Sequence, residues 1–75
     1  MNKAQSIQLE SIDDPKEKEI LALLKEDEEC IYGEIIKRTN LSYSKGKELI
    51  FSLISKGYIQ YIGRTTKLKL AIEVI

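Results

Sequence analysis

Residues 40–74 have the sequence NLSYSKGKELIFSLISKGYIQYIGRTTKLKLAIEV, and this stretch decides the fold. A helix over about residues 43–56 collects its apolar side chains on one face, at about 100° per residue. Ser42 precedes this helix as an N-cap, and Gly57 follows it where a helix favours a glycine. The residues on the apolar face are Gly46, Leu49, Ile50, Leu53 and Ile54.

A hairpin follows this helix directly. Residues 58–62 predict a strand, residues 63–66 a turn, and residues 67–74 the return strand. Apolar and polar side chains alternate along the return strand, as expected when only one face of a sheet is buried. The apolar positions of the return strand are Leu68, Leu70, Ile72 and Val74.

An earlier helix is predicted over about residues 15–26. Asp14 can cap its N-terminus, and Pro15 suits the first helical position. Glu17 completes a capping-box pattern, in which its carboxylate would reach back to the backbone of the cap. The apolar stripe of this helix comprises Ile20, Leu21, Leu23 and Leu24.

A second short helix is predicted over about residues 32–39, between the two longer ones. Residues 30 and 31 are too few for an independent strand, but they can form an edge strand beside the hairpin. Asn40 suits the left-handed conformation that ends a helix. Gly46 is unfavourable inside a helix, so we expect a close helix–helix approach at that position.

The chain of 75 residues predicts one small domain. Residues 1–12 are polar with scattered apolar positions, and we interpret them as a flexible N-terminal arm; a short strand or helix there is the alternative. Residues 13–75 then form the folded domain. No apolar run approaches the roughly 20 residues that cross a bilayer, and the N-terminus lacks the apolar centre of a signal peptide. We therefore expect a cytoplasmic protein without a membrane partner.

Catalytic and metal chemistry have little support in this sequence. It contains one cysteine, Cys30, and no histidine, so a zinc site lacks ligands and Ser-His or Cys-His pairs are excluded. No glycine-rich phosphate-binding motif is present. The acidic run at residues 26–29 fits a solvated loop better than a calcium site. We expect no enzyme activity, catalytic residue, metal or cofactor, and a buried, unreactive Cys30.

The net charge of zero hides an asymmetry between the two parts of the chain. Residues 1–29 carry four lysines and nine acids, a net charge of −5. Residues 30–75 carry eight cations and three acids, a net charge of +5. Such a division favours a polyanionic partner for the second part.

This arrangement resembles the winged helix-turn-helix superfamily, as found in MarR-like regulators and small archaeal DNA-binding proteins. The resemblance covers residues 20–62. It implies an α+β fold with three helices followed by a two-stranded wing hairpin. The motifs that carry it are Leu41-Ser42 at the turn, Leu49, Ile50 and Leu53 in the third helix, and Lys56-Gly57-Tyr58-Ile59 at its exit.

The resemblance also implies a function and a site. In this superfamily the third helix enters the DNA major groove and the wing contacts the backbone or minor groove. By position, the helix residues facing double-stranded DNA would be Tyr43, Ser44, Lys45, Lys47 and Glu48, and the wing residues would be Arg64, Thr65, Thr66 and Lys67. The function implied is that of a transcriptional regulator or a small chromatin-type factor. A homodimer or a larger protein assembly is expected, because a single small module buries little DNA surface.

Two alternatives remain open from the sequence. The domain could be a protein–protein interaction subunit of a transcription, replication or repair assembly, with its cations serving as ordinary solvated charge. Phe51 lies outside the apolar stripe of the third helix, where it could touch a thymine methyl, anchor a protein partner or be covered by the N-terminal arm. The tyrosines at positions 58 and 61 fit strand packing better than base stacking.

Overall fold

The structure, a computed structural model, describes residues 6–75. Its three helices are α1 (Pro15–Asp27), α2 (Tyr32–Arg38) and α3 (Tyr43–Ser55). Its five strands are β1 (Ser6–Ile7), β2 (Glu29–Ile31), β3 (Ile59–Tyr61), β4 (Lys67–Leu70) and β5 (Glu73–Val74). This confirms the predicted α+β arrangement of three helices followed by a wing hairpin.

The wing is a three-stranded antiparallel sheet in the order β2-β4-β3. The predicted edge strand at residues 30 and 31 is confirmed, because β2 pairs along β4. Cys30 and Tyr61 both lie opposite Leu68, one on each side of it. Since directly paired residues point to the same face of a sheet, these three side chains share the face that covers the core.

The prediction of one continuous return strand over residues 67–74 is wrong beyond Leu70. The pairing of β3 with β4 ends where Ile59 meets Leu70, because the chain leaves α3 just before that point. The residues that follow bend, and β5 pairs in parallel with β1. Apolar and polar residues continue to alternate through the bend, so the pattern alone could not reveal that β4 pairs with β3 whereas β5 pairs with β1.

The N-terminal segment is ordered wherever the structure describes it. Residues 1–5 of the predicted arm lie outside the described residues. Beyond them, β1 and a 3-10 turn at Leu9–Ser11 match the alternative of a short strand or helix. Ile7, Leu9 and Ile12 pack against the core. The division of the chain at residue 12 stays a prediction.

The core lies between the three helices and the inner face of the wing sheet. Most apolar positions predicted from the helical and strand patterns are buried, whereas Leu23, Ile54, Leu70 and Ile72 are only partly buried. None of the helices in residues 6–75 is long and apolar enough to span a bilayer. The large side chains with less than 2% exposure are Ile20, Leu21, Leu24, Ile35, Thr39, Ile50, Leu53, Ile59 and Leu68.

The N-terminus of α1 is capped as predicted, but Glu17 has another role. The Asp14 carboxylate accepts hydrogen bonds from the backbone N–H groups of Lys16 and Glu17, at 2.8 and 3.2 Å. The Glu17 side chain does not complete a capping box. It is buried, and its carboxylate accepts from Lys56 Nζ at 3.0 Å and from Ser52 Oγ at 3.3 Å. Glu17 therefore links α1 to the end of α3, a tertiary contact that local sequence does not show.

The turn between α2 and α3 brings the two helices into close contact at Gly46. Asn40 adopts the predicted left-handed conformation, with φ of 57°. Gly46 is buried, and a Cβ atom built at this position would lie 2.6 Å from Ile36 Cγ1. The expected close helix–helix approach is confirmed, and it explains why a glycine stands inside α3.

Gly46→Ala should lower the free energy of unfolding by up to about 2 kcal/mol. Overpacking a core costs about 1–3 kcal/mol, and the ~1 kcal/mol that alanine gains over glycine inside a helix offsets part of this cost. Chemical denaturation measures the change. The matched control is Gly33→Ala in α2, where an added Cβ would meet nothing within 4 Å; it should be neutral or stabilising. Equal losses in the two variants would contradict the packing explanation.

Lys56→Met should destabilise the fold by about 1–3 kcal/mol, because the buried Glu17 carboxylate would lose its cationic partner. The control is Lys45→Met, which removes a similar ion pair to Glu48 at 3.4 Å between two exposed side chains. Exposed pairs contribute little, so this control should change stability by less than about 0.5 kcal/mol. Thermal and denaturant unfolding of both variants measure the difference. A smaller loss in Lys56→Met than in the control would contradict the role assigned to Glu17.

Candidate nucleic-acid interface

The outward surface of α3 and the tip of the wing carry the residues predicted to contact DNA, together with Phe51. All of these side chains are exposed. On α3 they are Tyr43, Ser44, Lys45, Lys47, Glu48 and Phe51, and on the wing they are Arg64, Thr65, Thr66 and Lys67.

Two lysines stand on opposite flanks of the outward surface of α3. At 100° per residue, Lys45 and Lys47 are about 160° apart around the helix, and Ser44 and Glu48 lie between them. Lys45 forms an ion pair with Glu48 at 3.4 Å. The four predicted cations are therefore spread along both flanks of α3 and the wing.

Tyr43, Lys47 and Phe51 form a ridge along the flank of α3 that adjoins Tyr32. Their spacing of four residues stacks them on one side of the helix. The Lys47 ammonium lies 5.8 Å from the centre of the Tyr43 ring, within the range of a cation–π contact. The Tyr32 ring lies between the two aromatic residues, with its centre 6.2 Å from that of Tyr43 and 6.5 Å from that of Phe51.

The tip of the wing is a turn stabilised by its own side chains. Thr65 Oγ1 donates to the carbonyl of Ile62 at 2.7 Å and accepts from the backbone N–H of Lys67 at 3.1 Å. The Thr65 hydroxyl is thus already used within the turn. Arg64 lies exposed on this turn, and Lys67 forms an ion pair with Glu29 of the adjacent strand at 3.6 Å.

An open cleft of about 420 Å³, which we call the aromatic groove, lies between α3 and the wing. Four of the residues that line it carry aromatic rings. The groove is bounded by the ridge of α3 on one side and by the inner face of the wing on the other. Its lining residues are Ile31, Tyr32, Gly33, Tyr43, Phe51, Tyr61 and Thr66.

Sequence patterns missed four of these lining residues, which are Gly33 and the three larger residues Ile31, Tyr32 and Tyr61. Ile31 and Tyr32 belong to a junction between β2 and α2 that no periodic pattern describes, and Ile31 is 50% exposed. Tyr61, expected to pack within the strand, is 37% exposed because it lies where the sheet extends past the core. The backbone N–H of Tyr32 donates to the carbonyl of Thr66 at 2.9 Å, which joins the start of α2 to the wing. The sequence contains four tyrosines, more than the predicted core needs, and this excess is the signal that could have indicated an aromatic cluster on the surface.

Phe51 stays uncovered by the N-terminal segment within the described residues. Residues 6–12 pack against β5 and the core, and Phe51 is 48% exposed. The interpretation that this segment covers Phe51 therefore has no support from residues 6–12. The thymine contact and the protein anchor remain as predictions.

Two side chains near the groove have shifted pKa values. Burial raises the pKa of the Tyr32 phenol above its usual value, and the neighbouring Tyr43 and Tyr61 raise it further. Burial likewise raises the pKa of the Cys30 thiol, and this outweighs the lowering effect of Arg38. Tyr32 is thus an uncharged phenol at neutral pH, and Cys30 is the buried, protonated thiol that the sequence predicts. Within residues 6–75, no group of three acidic or cysteine side chains is placed to hold a metal ion.

Comparison with known protein families identifies the family of this chain. A family model described as winged helix-turn-helix DNA-binding matches residues 13–60, which are 48 of the 75 residues. The match covers α1, α2, α3 and the start of the wing, and thus includes the helix with the flanking lysines. No curated protein or solved structure shows a significant match to the chain.

Phe51→Ala should lower the free energy of unfolding by less than about 1.5 kcal/mol, because half of the ring is already in water. Leu53→Ala on the buried face of the same helix should cost about 2–5 kcal/mol. Denaturant unfolding of the two variants measures the contrast. A loss for Phe51→Ala as large as that for Leu53→Ala would show that Phe51 belongs to the core and not to the surface described here.

Proposed function

Since this chain belongs to the winged helix-turn-helix DNA-binding family, we propose that it binds double-stranded DNA with the outward surface of α3 and with the wing. Its cellular role would be that of a transcriptional regulator or a small chromatin-type factor, inside the cell. The observation that carries this proposal is the exposed helix with a lysine on each flank. Both lysines lie on the part of the chain with the net charge of +5.

In the proposed complex, α3 lies in the major groove. An α-helix with its side chains is about 10–12 Å across, which matches a groove about 12 Å wide. The phosphates line both edges of that groove, so Lys45 and Lys47 on opposite flanks would each face one strand. Ser44, Glu48 and Tyr43 would then meet the base edges or the nearest phosphates.

The wing would contact the DNA beside α3. Arg64 is exposed at the tip and would approach the backbone or the minor groove. Thr65 and Thr66 would bring the backbone of the turn close to phosphate, and Lys67 would add a cation at the start of β4, directly after the turn. Release of counterions from the contacted phosphates supplies most of the affinity in such complexes.

The small surface of the module implies a partner in the complex. A single module of this kind buries about 600–1,000 Å² on DNA, which is modest for tight binding. We therefore propose that the protein acts as a homodimer or within a larger assembly. The role would be non-enzymatic, because the sequence lacks histidine and the single thiol is buried.

A second function has one observation in its favour. Ile31 and Phe51 are large apolar side chains with about half of their surface exposed, and such residues often anchor protein partners. The alternative is a protein–protein interaction subunit of a transcription, replication or repair assembly. Binding to DNA distinguishes the two functions.

Titration of a short DNA duplex at several salt concentrations should give a log–log slope of about −3 to −4, if each of the four cations neutralises one phosphate. Fluorescence anisotropy of a labelled duplex measures the affinity. Arg64→Ala and Lys47→Ala should each reduce the magnitude of the slope by about 1. Selective weakening on one duplex sequence by Lys47→Ala would indicate base contact instead of phosphate contact.

The matched control is Lys25→Ala in α1, an element that contributes no residue to the proposed interface. It removes the same charge as Lys47→Ala and should leave the slope unchanged. An equal loss in Lys25→Ala would mean that binding depends on net charge alone. Absence of duplex binding at low salt would reject the DNA proposal and favour the protein-interaction function.

A further inference from the structure

The aromatic groove lies at the centre of the proposed DNA-binding surface, yet its chemistry does not match an intact duplex. Its walls are mainly four aromatic rings and an isoleucine, with Gly33 and Thr66 beside them, whereas the outer surface of a duplex presents phosphates, sugars and base edges. The flat faces of the bases are stacked on one another inside the duplex. They become available to a protein only when a nucleotide is unpaired or turned out of the stack.

Three of the four rings of the groove keep a large part of their surface exposed. Tyr43 is 63% exposed and Phe51 is 48% exposed, although both contact Tyr32. These contacts are tilted by 54° and 59°, so the rings do not cover one another. Tyr61 supplies a further ring from the opposite wall.

The charges around the groove select among possible occupants. Lys47 lies over the Tyr43 ring at 5.8 Å, and Arg64 and Lys67 belong to the wing that forms the opposite wall. The apolar lining contains no carboxylate. The complementary occupant therefore carries negative charge along its backbone and flat rings as side groups, which is the chemistry of a single nucleic-acid strand.

We propose that the aromatic groove binds unpaired nucleotides of the DNA that α3 and the wing contact, stacking their bases on the exposed tyrosine and phenylalanine rings. The inference rests on the proposed function and specifies its substrate. The preferred ligand is a duplex with a single-stranded extension or an opened segment. A protein segment is the less favoured occupant, since it would have to be both acidic and rich in flat side chains.

The experiment compares two DNA probes at one salt concentration. One is a blunt duplex, and the other is the same duplex with a four-nucleotide single-stranded extension that contains 2-aminopurine. The extended probe should bind about ten-fold more tightly, the effect of about one stacked base. The 2-aminopurine emission should fall on binding, because stacking on an aromatic ring quenches it.

Tyr61→Leu tests the groove directly, because it removes a ring but keeps an apolar side chain. It should abolish the preference for the extended probe and leave the affinity for the blunt duplex within about two-fold. Tyr61→Phe keeps the ring and should keep the preference. Arg64→Ala is the contrasting variant, and it should weaken both probes by the same factor because it removes a backbone contact.

The outcomes separate this inference from the proposed function. Equal affinity for the two probes, with unchanged 2-aminopurine emission, would overturn the inference and leave duplex binding intact. Failure of both probes to bind would overturn both proposals. Sedimentation equilibrium provides the last measurement. If the protein is a homodimer that Tyr61→Leu dissociates, and if it shows no preference for the extended probe, the groove binds a second copy of the chain. That result would overturn the inference.

Discussion

The contact between Gly46 of α3 and Ile36 of α2 is the constraint on which the rest of this structure depends. With no side chain at position 46, the two helices approach so closely that a single added carbon would fall 2.6 Å from its neighbour. This approach fixes the angle at which α3 leaves the turn, and with it the direction of the opposite face of the helix. The placement of the lysines on the two flanks of α3 therefore depends on Gly46, which is buried and lies outside the proposed interface.

The wing is held in place by contacts from the segment that joins α1 to α2. Strand β2 pairs with β4, and the backbone bond from Tyr32 to Thr66 fastens the first residue of α2 to the hairpin. This bond joins the turn of the wing to the start of α2, and both residues that it links line the aromatic groove. The groove thus results from the way in which β2, α2, α3 and the wing are joined. It forms part of the proposed interface.

The sequence allowed the elements of the fold to be predicted, but only part of the candidate site. Helix caps such as Asp14 and the glycine at position 46 act through local geometry, so short-range rules identified them correctly. The same rules did not predict the contacts of Glu17, because its partners, Ser52 and Lys56, are 35 and 39 residues away. The exposed residues of α3 follow from helical periodicity. Ile31 and Tyr32 are adjacent at the junction of β2 and α2, whereas Tyr61 belongs to β3, and no pattern along the chain brings Tyr61 beside them.

The third strand of the wing has a consequence for how the protein would discriminate among DNA sites. A two-stranded hairpin can bend, but here β2 pairs along β4 and Thr65 closes the turn with two hydrogen bonds, so we expect a stiff tip. A stiff tip loses little conformational entropy on binding, which helps a small module. In the proposed complex such a tip would adapt poorly, so the deformation would have to come from the DNA, and flexible sequence steps would be cheaper to bind than rigid ones. Selectivity would then arise at base pairs that no side chain touches.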